Sequence, residues 1–229
     1  MLTLRKNELR ARNAILLIGI VLALEIVSIV SNLIQYDLLQ SIANGYYISE
    51  EVATANDTRE QIIGVVYLIV YYISFITFIK WFRRAYYNLH QKIDNLSYSE
   101  GWAAGSWFVP IIHLYRPYKI MKELYVKTKE FLQSKNEEEK VSYTTSYLGW
   151  WWALWIIDGV LSKAVYRLSK KADSVTDLLS VTTWSIISSI VGIIGAIITI
   201  KVIKDYSRVE PILLEVEKKE IQIENTELN

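Results

Sequence analysis

Four stretches of this chain are apolar over the length that a helix needs to cross a bilayer, which is about 20 residues. They are Ala14–Gln35, Ile62–Phe82, Leu148–Leu168 and Val181–Ile203. Because hydrocarbon offers no hydrogen-bond partner to a peptide group, each stretch is expected to form a helix. The sequence therefore predicts an all-α integral membrane protein, built as a single membrane domain over 1–203 with a four-transmembrane-helix bundle.

Lysine and arginine are distributed unequally among the segments that flank these spans. The first loop, Tyr36–Gln61, holds Arg59 as its only basic residue among several acidic ones. The N-terminal flank holds Arg5, Lys6, Arg10 and Arg12. Basic residues are enriched in cytoplasmic flanks, so we expect both termini and the segment between spans 2 and 3 to be cytoplasmic. The residues from 204 to 229 are expected to form a charged cytoplasmic tail.

The segment between spans 2 and 3 contains the sequence GWAAGSWFVPIIHLYRPYKIMKELY (101–125), which is apolar but interrupted by Pro110 and Pro117. Proline removes a backbone donor and kinks a helix. We therefore expect a Pro-kinked interfacial or re-entrant segment over 101–132 that dips into the inner leaflet. Apolar residues recur at helical spacing beyond Pro117, which predicts an amphipathic cytoplasmic helix on the leaflet surface. A fifth span is the alternative, and it would place the C-terminus outside.

Three blocks of the sequence resemble the signature blocks of a bacterial membrane family called domain of unknown function 4328. They are WFRRAYYNL (81–89), the 101–125 segment quoted above and GWWWALWII (149–157). The positions that match the family pattern are Trp81, Arg84, Asn88, Trp107, Pro110, Pro117, Glu123, Trp151 and Trp152, whereas His113 stands where asparagine is more usual. The resemblance covers Ile62 to Ile203. It implies a multi-pass protein of the bacterial cytoplasmic (inner) membrane and no known activity.

Charged and aromatic side chains gather at the predicted inner boundary of the membrane. Arginine binds phosphate through two parallel hydrogen bonds, and tryptophan covers acyl or aromatic groups. The cluster consists of Arg84, Asn88, Trp107, His113, Arg116, Glu123, Trp151 and Trp152. It predicts either a site for a lipid headgroup or a structural arrangement in which Arg84 pairs with Glu123. The tryptophans are also typical of an aromatic belt that sets the depth of the protein.

A second candidate cluster lies near the middle of the predicted spans. Ionisable groups at that depth are costly and usually face the interior of a bundle. In an antiparallel bundle Glu25, Tyr71 and Asp158 would lie at similar depths, which is compatible with a proton or cation relay, a polar headgroup site or a neutral structural network. Small residues at Ser188, Gly192 and Ala196 follow a spacing that favours close helix packing, within the bundle or between two copies.

Several functional classes are disfavoured by composition. The net charge of +1 argues against a nucleic-acid partner, and the absence of cysteine excludes disulfides and thiolate metal sites. We expect no metal, no cofactor and no enzymatic activity, since no nucleophile–base arrangement is found. The favoured function is a non-catalytic module that binds membrane lipid, a protein partner or a second copy through its aromatic inner-leaflet surface. The alternative is a small transporter or channel subunit that uses Glu25 and Asp158.

The predicted topology can be tested because the chain has no cysteine. Single cysteines introduced as Ser49→Cys and Ser134→Cys should react with a membrane-impermeant maleimide from opposite sides of the membrane. The expected outcome follows from the unequal distribution of basic residues. Labelling of both positions from the same side, in intact cells and inverted vesicles, would contradict the four-span topology.

Overall fold

The computed structural model describes residues 4–137, 139, 141 and 143–227, and within these residues the secondary structure is entirely helical. The helices are α1 (Glu8–Ala43), α2 (Glu50–His90), α3 (Trp102–Gly105), α4 (Arg116–Ser134), α5 (Leu148–Ser169) and α6 (Val175–Glu227), with a 3-10 turn at Ile112–Leu114. Three of them, α1, α2 and α6, are long and apolar enough to cross a membrane. The predicted all-α class is therefore confirmed for the described residues, and the three long apolar helices support the membrane class.

The third predicted span, 148–168, coincides with α5 but is less apolar than the other three. Its helix carries Asp158, Lys163 and Arg167 together with four tryptophans. These residues explain why α5 is not among the helices that are apolar enough to cross a membrane. The structure thus shows three candidate spans, and the fourth remains a prediction.

The last helix differs from the predicted charged tail. Residues 204–227 continue α6, which is 53 residues long and so extends for about 80 Å at 1.5 Å per residue. Within this part Tyr206, Val209 and Leu213 are fully buried. Their spacing of three and four residues places them on one helix face. This part of the chain therefore contributes to a packed core.

The contacts of the chain divide it into two units. Unit 1 contains the described residues of 1–16, 75–152 and 200–229, and unit 2 contains residues 17–74 and 153–199. The single membrane domain over 1–203 that the hydropathy pattern predicts stays a prediction. Each of α1, α2, α5 and α6 contributes residues to both units, because the boundaries fall inside these helices.

Unit 2 has polar residues inside and apolar residues outside. Large apolar side chains such as Ile26, Val30 and Val160 are exposed. The buried polar and charged residues of the unit are Glu25, Ser31, Asn32, Asn56, Ser74, Thr182 and Ser189. In water this arrangement would expose a large apolar surface, whereas in lipid the same surface is the favourable one. The burial pattern of unit 2 is therefore that of a membrane-embedded bundle.

Unit 1 has an apolar core of the kind found in water-soluble domains. In α2 the side chains of Trp81, Phe82, Tyr86 and Leu89 are fully buried, at the spacing of one helix face. The helices α4 and α6 add further buried apolar residues. Removing this much aromatic and aliphatic surface from water is the main source of stability for such a core.

The apolar face of α4 packs inside unit 1. Its buried residues are Pro117, Ile120, Met121, Leu124, Tyr125, Thr128 and Leu132, which recur at spacings of three and four residues. The Tyr125 hydroxyl donates to the Val202 carbonyl at 2.6 Å. The Tyr143 hydroxyl in turn donates to the Tyr125 carbonyl at 2.9 Å. The prediction that this face lies on the membrane surface is therefore wrong, because the protein itself covers the face.

The packing of α4 makes a direct prediction about stability. Leu124 has no exposed surface, so Leu124→Ala should lower the free energy of unfolding by ~2–5 kcal/mol through lost burial and the resulting cavity. The exposed neighbour Lys122 provides the control, and Lys122→Ala should change stability by less than about 0.5 kcal/mol. Thermal unfolding in detergent micelles measures both. Equal effects of the two substitutions would contradict the buried face.

Candidate functional site

The eight residues predicted at the inner boundary all lie in unit 1, where their contacts separate them into smaller groups. The three tryptophans belong to an aromatic cluster between the 101–115 segment, α2 and α5. Glu123, Arg116 and His113 each have partners of their own. Arg84 and Asn88 belong to a further group that includes the N-terminal residues before α1.

The aromatic cluster joins the 101–115 segment to α2. The Trp107 ring stands edge-on to Phe75 and Phe78, with centroids 5.5 and 5.6 Å apart, and edge-on to Trp152 at 5.8 Å. Edge-to-face pairs of this kind stabilise by about 0.5–1.5 kcal/mol each beyond their burial. Trp107, Trp151 and Trp152 are all buried. They therefore act as core residues, which disfavours the interpretation of these three as an aromatic belt.

The indole N–H groups of this cluster bind the backbone of the same segment. Trp107 Nε1 donates to the Ala103 carbonyl at 3.1 Å, and Trp152 Nε1 donates to the Leu114 carbonyl at 2.9 Å. The first bond spans one turn and the second connects α5 to the 3-10 turn. Because buried backbone carbonyls need donors, the two indoles hold an irregular stretch of chain in place.

Glu123 holds α4 to α2, but its partner differs from the predicted one. Its Oε2 accepts a hydrogen bond from the Tyr86 hydroxyl at 2.6 Å, and its Oε1 accepts one from the Ser97 backbone N–H at 2.8 Å. Burial, followed by the hydrogen bond and charge of Glu123, raises the pKa of Tyr86 above its ordinary value. The predicted Arg84–Glu123 pair is therefore wrong: the connection between the helices exists, and a tyrosine makes it.

Arg116 and His113 lie beside aromatic rings and backbone carbonyls. The Arg116 Cζ atom lies 4.1 Å from the Trp102 ring centroid and 5.3 Å from that of Tyr98, both within cation–π distance. His113 Nδ1 lies 3.3 Å from the Val109 carbonyl oxygen. No group of three or more His, Asp or Glu side chains in the described part of the chain is arranged to hold a metal ion.

Asn88 and Glu210 form a buried polar cluster that anchors the start of the chain. Asn88 exchanges two hydrogen bonds with the backbone of Arg5, at 3.0 and 2.8 Å, and donates to Glu210 Oε1 at 2.7 Å. Asn7 Nδ2 also donates to the Glu210 carboxyl, at 3.0 and 3.2 Å. The Leu4 backbone N–H donates to Glu217 at 3.3 Å. Two glutamates and one asparagine of the core thus position residues 4–7.

Glu210 lies beyond the predicted fourth span, on the part of α6 that belongs to unit 1. Burial raises the pKa of Glu210 to about 7, although the hydrogen bonds from Asn88 and Asn7 and the charge of Arg84 act in the opposite direction. Desolvation disfavours the charged form of a carboxyl more than these donors stabilise it. The carboxyl is therefore partly protonated near neutral pH. Sequence patterns did not indicate this residue, because it falls in a stretch that reads as a charged tail.

Glu25, Tyr71 and Asp158, the residues predicted near the middle of the spans, all lie in unit 2, and Tyr67 joins them. The Tyr67 hydroxyl donates to Glu25 Oε1 at 2.6 Å, and Ser189 of α6 makes a further side-chain hydrogen bond with Glu25. Tyr71 stacks on Tyr67 with ring centroids 5.9 Å apart, and the charge of Asp158 acts on both tyrosines. The charges of both Glu25 and Asp158 act on Tyr71, so the three predicted residues lie near one another, and Tyr67 is the additional residue that donates directly to Glu25.

Gly192 is the residue that allows Glu25 to approach α6. A Cβ atom added at Gly192 would lie 2.6 Å from Glu25 Oε1 and 3.0 Å from its Cδ, distances that no side chain can occupy without moving the carboxyl. The small residues at 188, 192 and 196 had indicated close packing of helix backbones. Around Gly192 the space is instead filled by the carboxyl group of α1.

A further polar network of unit 2 was not indicated by the sequence. The Arg59 guanidinium donates to Ser31 Oγ at 2.8 Å and to Asn56 Oδ1 at 2.6 Å. Gln35 Nε2 of α1 donates to Thr182 Oγ1 of α6 at 2.9 Å. These bonds link α1 with α2 and α1 with α6. They give buried polar groups the partners that an apolar environment requires.

The 101–115 segment also exposes apolar side chains. Phe108, Ile111, Leu114 and Tyr115 are exposed, with 68% and 74% of the surface of Phe108 and Ile111 accessible. We call these four residues the apolar ridge. Ile111 has φ +66° and ψ −48°, and the Ile112 N–H donates to the Pro110 carbonyl at 2.7 Å. This is a γ-turn with positive φ, a rare and strained conformation.

Comparison with protein families matches residues 44–208 to a family described as domain of unknown function (DUF4328). The matched region includes all eight predicted inner-boundary residues and excludes Arg5, Asn7, Glu25 and Glu210. The match confirms the resemblance that the three sequence blocks indicated. No curated protein and no solved structure matches the chain.

The close approach of Glu25 to Gly192 can be tested with a matched pair of substitutions. Gly192→Ala should lower the free energy of unfolding by about 1–3 kcal/mol, since the methyl group displaces the Glu25 carboxyl from its partners. Gly195→Ala is the control, because a Cβ at Gly195 meets nothing within 4 Å. In a Glu25→Ala background Gly192→Ala should lower the free energy of unfolding by less than it does in the parent protein, because the carboxyl group that the methyl displaces is gone. Equal melting temperatures for the two alanine variants would contradict this contact.

The buried Glu210 predicts a pH dependence of stability. Its folded-state pKa of about 7 lies above the ordinary value of 4.5, so its contribution is complete below pH 4.5. As pH rises from 4.5 towards 7, the unfolded state releases the proton first and stability falls, by up to about 1.4 kcal/mol per pH unit. Glu210→Gln should remove this slope. Thermal unfolding of parent and variant between pH 4.5 and 8 measures it, and parallel curves would contradict the assignment.

Proposed function

The chain belongs to the family described as domain of unknown function (DUF4328), and we propose that it is a non-catalytic membrane module whose apolar ridge contacts lipid in the inner leaflet. The contact of the 101–115 segment with α2 carries this proposal. Membrane lipid is the proposed partner. A protein partner or a second copy of the chain is the alternative occupant of the same surface.

The proposed topology has four spans with both termini in the cytoplasm of a bacterial cell, and the protein lies in the cytoplasmic membrane. In this topology α1, α2, α5 and α6 each cross the bilayer once. The inside-out burial pattern of unit 2 supports the proposal, because its apolar surface needs lipid and its buried polar groups need partners. For α5, the exposed Ile157 and Val160 favour contact with lipid.

The depth of the ridge is supported by its contact with the second predicted span, 62–82. Phe108 stands edge-on to Phe75 with centroids 6.2 Å apart. Phe75 precedes the end of this span at Phe82 by seven residues, or about 10 Å along a helix. A hydrocarbon core is about 30 Å thick. If α2 crosses the membrane over its apolar part, Phe108 therefore reaches about one third of the way into the core.

The strained turn supports lipid contact in a different way. A γ-turn with positive φ is unfavourable for a β-branched residue, and holding one there costs on the order of 1–3 kcal/mol. At Ile111 this strain presents an isoleucine side chain that is 74% exposed. Because the Ile111 side chain is largely exposed, its packing within the protein does little to offset the cost of the strained turn. Contact with hydrocarbon would offset it, since burial of an isoleucine side chain contributes about 1.5–3 kcal/mol.

The contacts of Glu25 favour a structural role over the alternative function of a transporter or channel subunit. Its carboxyl is held by a tyrosine hydroxyl and a serine hydroxyl and lies against Gly192. A group that shuttles ions needs an alternative position or an access path. The close fit at Gly192 instead favours one position, in which the carboxyl connects α1, α2 and α6.

The depth of the ridge can be measured with a spin label on a single cysteine. In liposomes, a nitroxide on Ile111→Cys should be relaxed more strongly by oxygen, which concentrates in hydrocarbon, than by a water-soluble nickel chelate. The exposed Ser134 at the end of α4 supplies the control, and a nitroxide on Ser134→Cys should show the reverse preference. A nickel preference at both positions would mean that the ridge faces water, and the proposed lipid contact would be wrong.

A further inference from the structure

Two arginines of unit 1 lie over the ring of Tyr87 beside the start of α1, and the charge of a third, Arg10, acts on one of them, Arg84. The Cζ atoms of Arg5 and Arg84 lie 4.6 and 5.8 Å from the centroid of the Tyr87 ring. Arg10 Nη1 donates to the carbonyl of Lys80 at 3.1 Å, one helical turn before Arg84. Arg10 and Arg84 are half-buried, whereas Arg5 is exposed. We call Arg5, Arg10 and Arg84 the arginine cluster.

The position of Arg5 in this cluster is imposed by the buried core. Asn88 accepts a hydrogen bond from the Arg5 backbone N–H and donates one to the Arg5 carbonyl, at 3.0 and 2.8 Å. Asn88 itself is only 1% exposed. Because Asn88 binds both the N–H and the carbonyl of Arg5, the backbone position of Arg5 is fixed and its side chain extends from the core next to Tyr87. Hydrogen bonds of the backbone of Arg5 and of the side chain of Arg10 thus fix the place of these two arginines in the cluster.

The cluster is electrostatically uncompensated. Burial and then the charges of Arg10 and Arg5 lower the pKa of Arg84, which lies beyond the second predicted span. The ion pairs found among the described residues include none made by these three arginines. The adjacent Arg83, by contrast, pairs with Glu100 at 3.0 Å. Like charges are therefore held together without an ion pair to any carboxylate of the described residues.

Glu210 is the acid whose charge acts on Arg84, but it does not neutralise the cluster. Its carboxyl is buried, accepts hydrogen bonds from Asn7 and Asn88, and has a pKa raised to about 7 by burial. A carboxyl that is partly protonated and directed towards two amides compensates little of the charge of three guanidinium groups. The remaining positive charge is available to an anion from outside the protein.

We propose that Arg5, Arg10 and Arg84 form a binding site for a phosphate group. Guanidinium groups match phosphate because each offers two parallel N–H donors. Arg84 and Arg5 extend from opposite segments past Tyr87, while Arg10 extends from the first turn of α1. An anion between them would relieve the mutual repulsion of the arginines. This proposal goes beyond the lipid contact of the ridge, since the two sites share no residue.

The phosphate group has two possible sources, and the experiment distinguishes them. The full-length protein in maltoside micelles is titrated with inorganic phosphate by calorimetry. In parallel, binding of dioctanoyl phosphatidylglycerol is measured by native mass spectrometry. Saturable binding of inorganic phosphate supports a soluble phosphate ligand. Saturable binding of the lipid without binding of inorganic phosphate supports a lipid headgroup.

Variants with matched charge test whether the arginine cluster carries the binding. Arg84→Gln, and separately the double variant Arg5→Gln/Arg10→Gln, should weaken binding at least about tenfold, the loss expected for a charge-assisted hydrogen bond. The control is Lys6→Gln/Arg12→Gln, which removes two positive charges from exposed positions of the same segment and should change affinity by less than about twofold. Arg84→Lys keeps the charge but lacks the two parallel donors, so it should bind more weakly than the parent protein.

Two outcomes would overturn the proposal. The first is the absence of saturable binding of either ligand to the parent protein. The second is an equal loss of affinity in the control and in the arginine variants, which would indicate general attraction by positive charge. Melting temperatures in detergent show whether each variant is folded. If Arg84→Gln is unfolded, the comparison of the two double variants decides the question. Either overturning outcome leaves the spin-label measurement on the ridge unaffected.

Discussion

A buried polar group needs a partner inside the protein wherever water is excluded, and unit 2 is organised by this constraint. The Tyr67–Glu25–Ser189 bonds connect α2, α1 and α6, and the Arg59 network connects α1 with α2. Between apolar helices in lipid there is little hydrophobic driving force, so such bonds and close packing hold the bundle together. Gly192 shows how specific the arrangement is, since one methyl group would occupy the place of the Glu25 carboxyl.

Unit 1 has the opposite burial pattern to unit 2, although the same four helices contribute to both. Its aromatic residues are buried and its charged residues surround them, as in a domain that folds in water. Asn88 and Glu210 are two of the polar residues buried in this core, and their hydrogen bonds hold residues 4–7. That attachment determines where Arg5 emerges and hence where the arginine cluster forms. A structural hydrogen bond in the core and a proposed binding site on the surface are connected in this way.

The two proposed contacts with the surroundings use different physical chemistry. The apolar ridge presents hydrophobic side chains from a strained turn, whereas the arginine cluster presents positive charge beside a backbone that Asn88 holds. Both lie within unit 1, and the tryptophans that sequence patterns grouped with them serve to hold the 101–115 segment against α2 and α5. Anchoring a hydrophobic segment and binding phosphate groups are compatible tasks for a protein at a lipid surface.

Sequence alone determined the helical membrane class, the three longest apolar helices and the family, because hydropathy over 20 residues and local sequence blocks are properties of single segments. The structure decided which face of each helix meets which partner. Tyr67 and Tyr71 are four residues apart and so lie on one face of α2, but only the rotation of the helix selects the tyrosine that reaches Glu25. The apolar stripe of α4 predicted a helix on the leaflet surface, but a stripe of this kind is also what a helix buries against a protein core. Contacts of α4 with α6, which is distant in sequence, bury this face in the protein core. Residues 204–227 contribute to the core for the same reason. A pattern of charged and apolar residues shows which helix face can be buried, but packing against distant parts of the chain determines whether that face is buried.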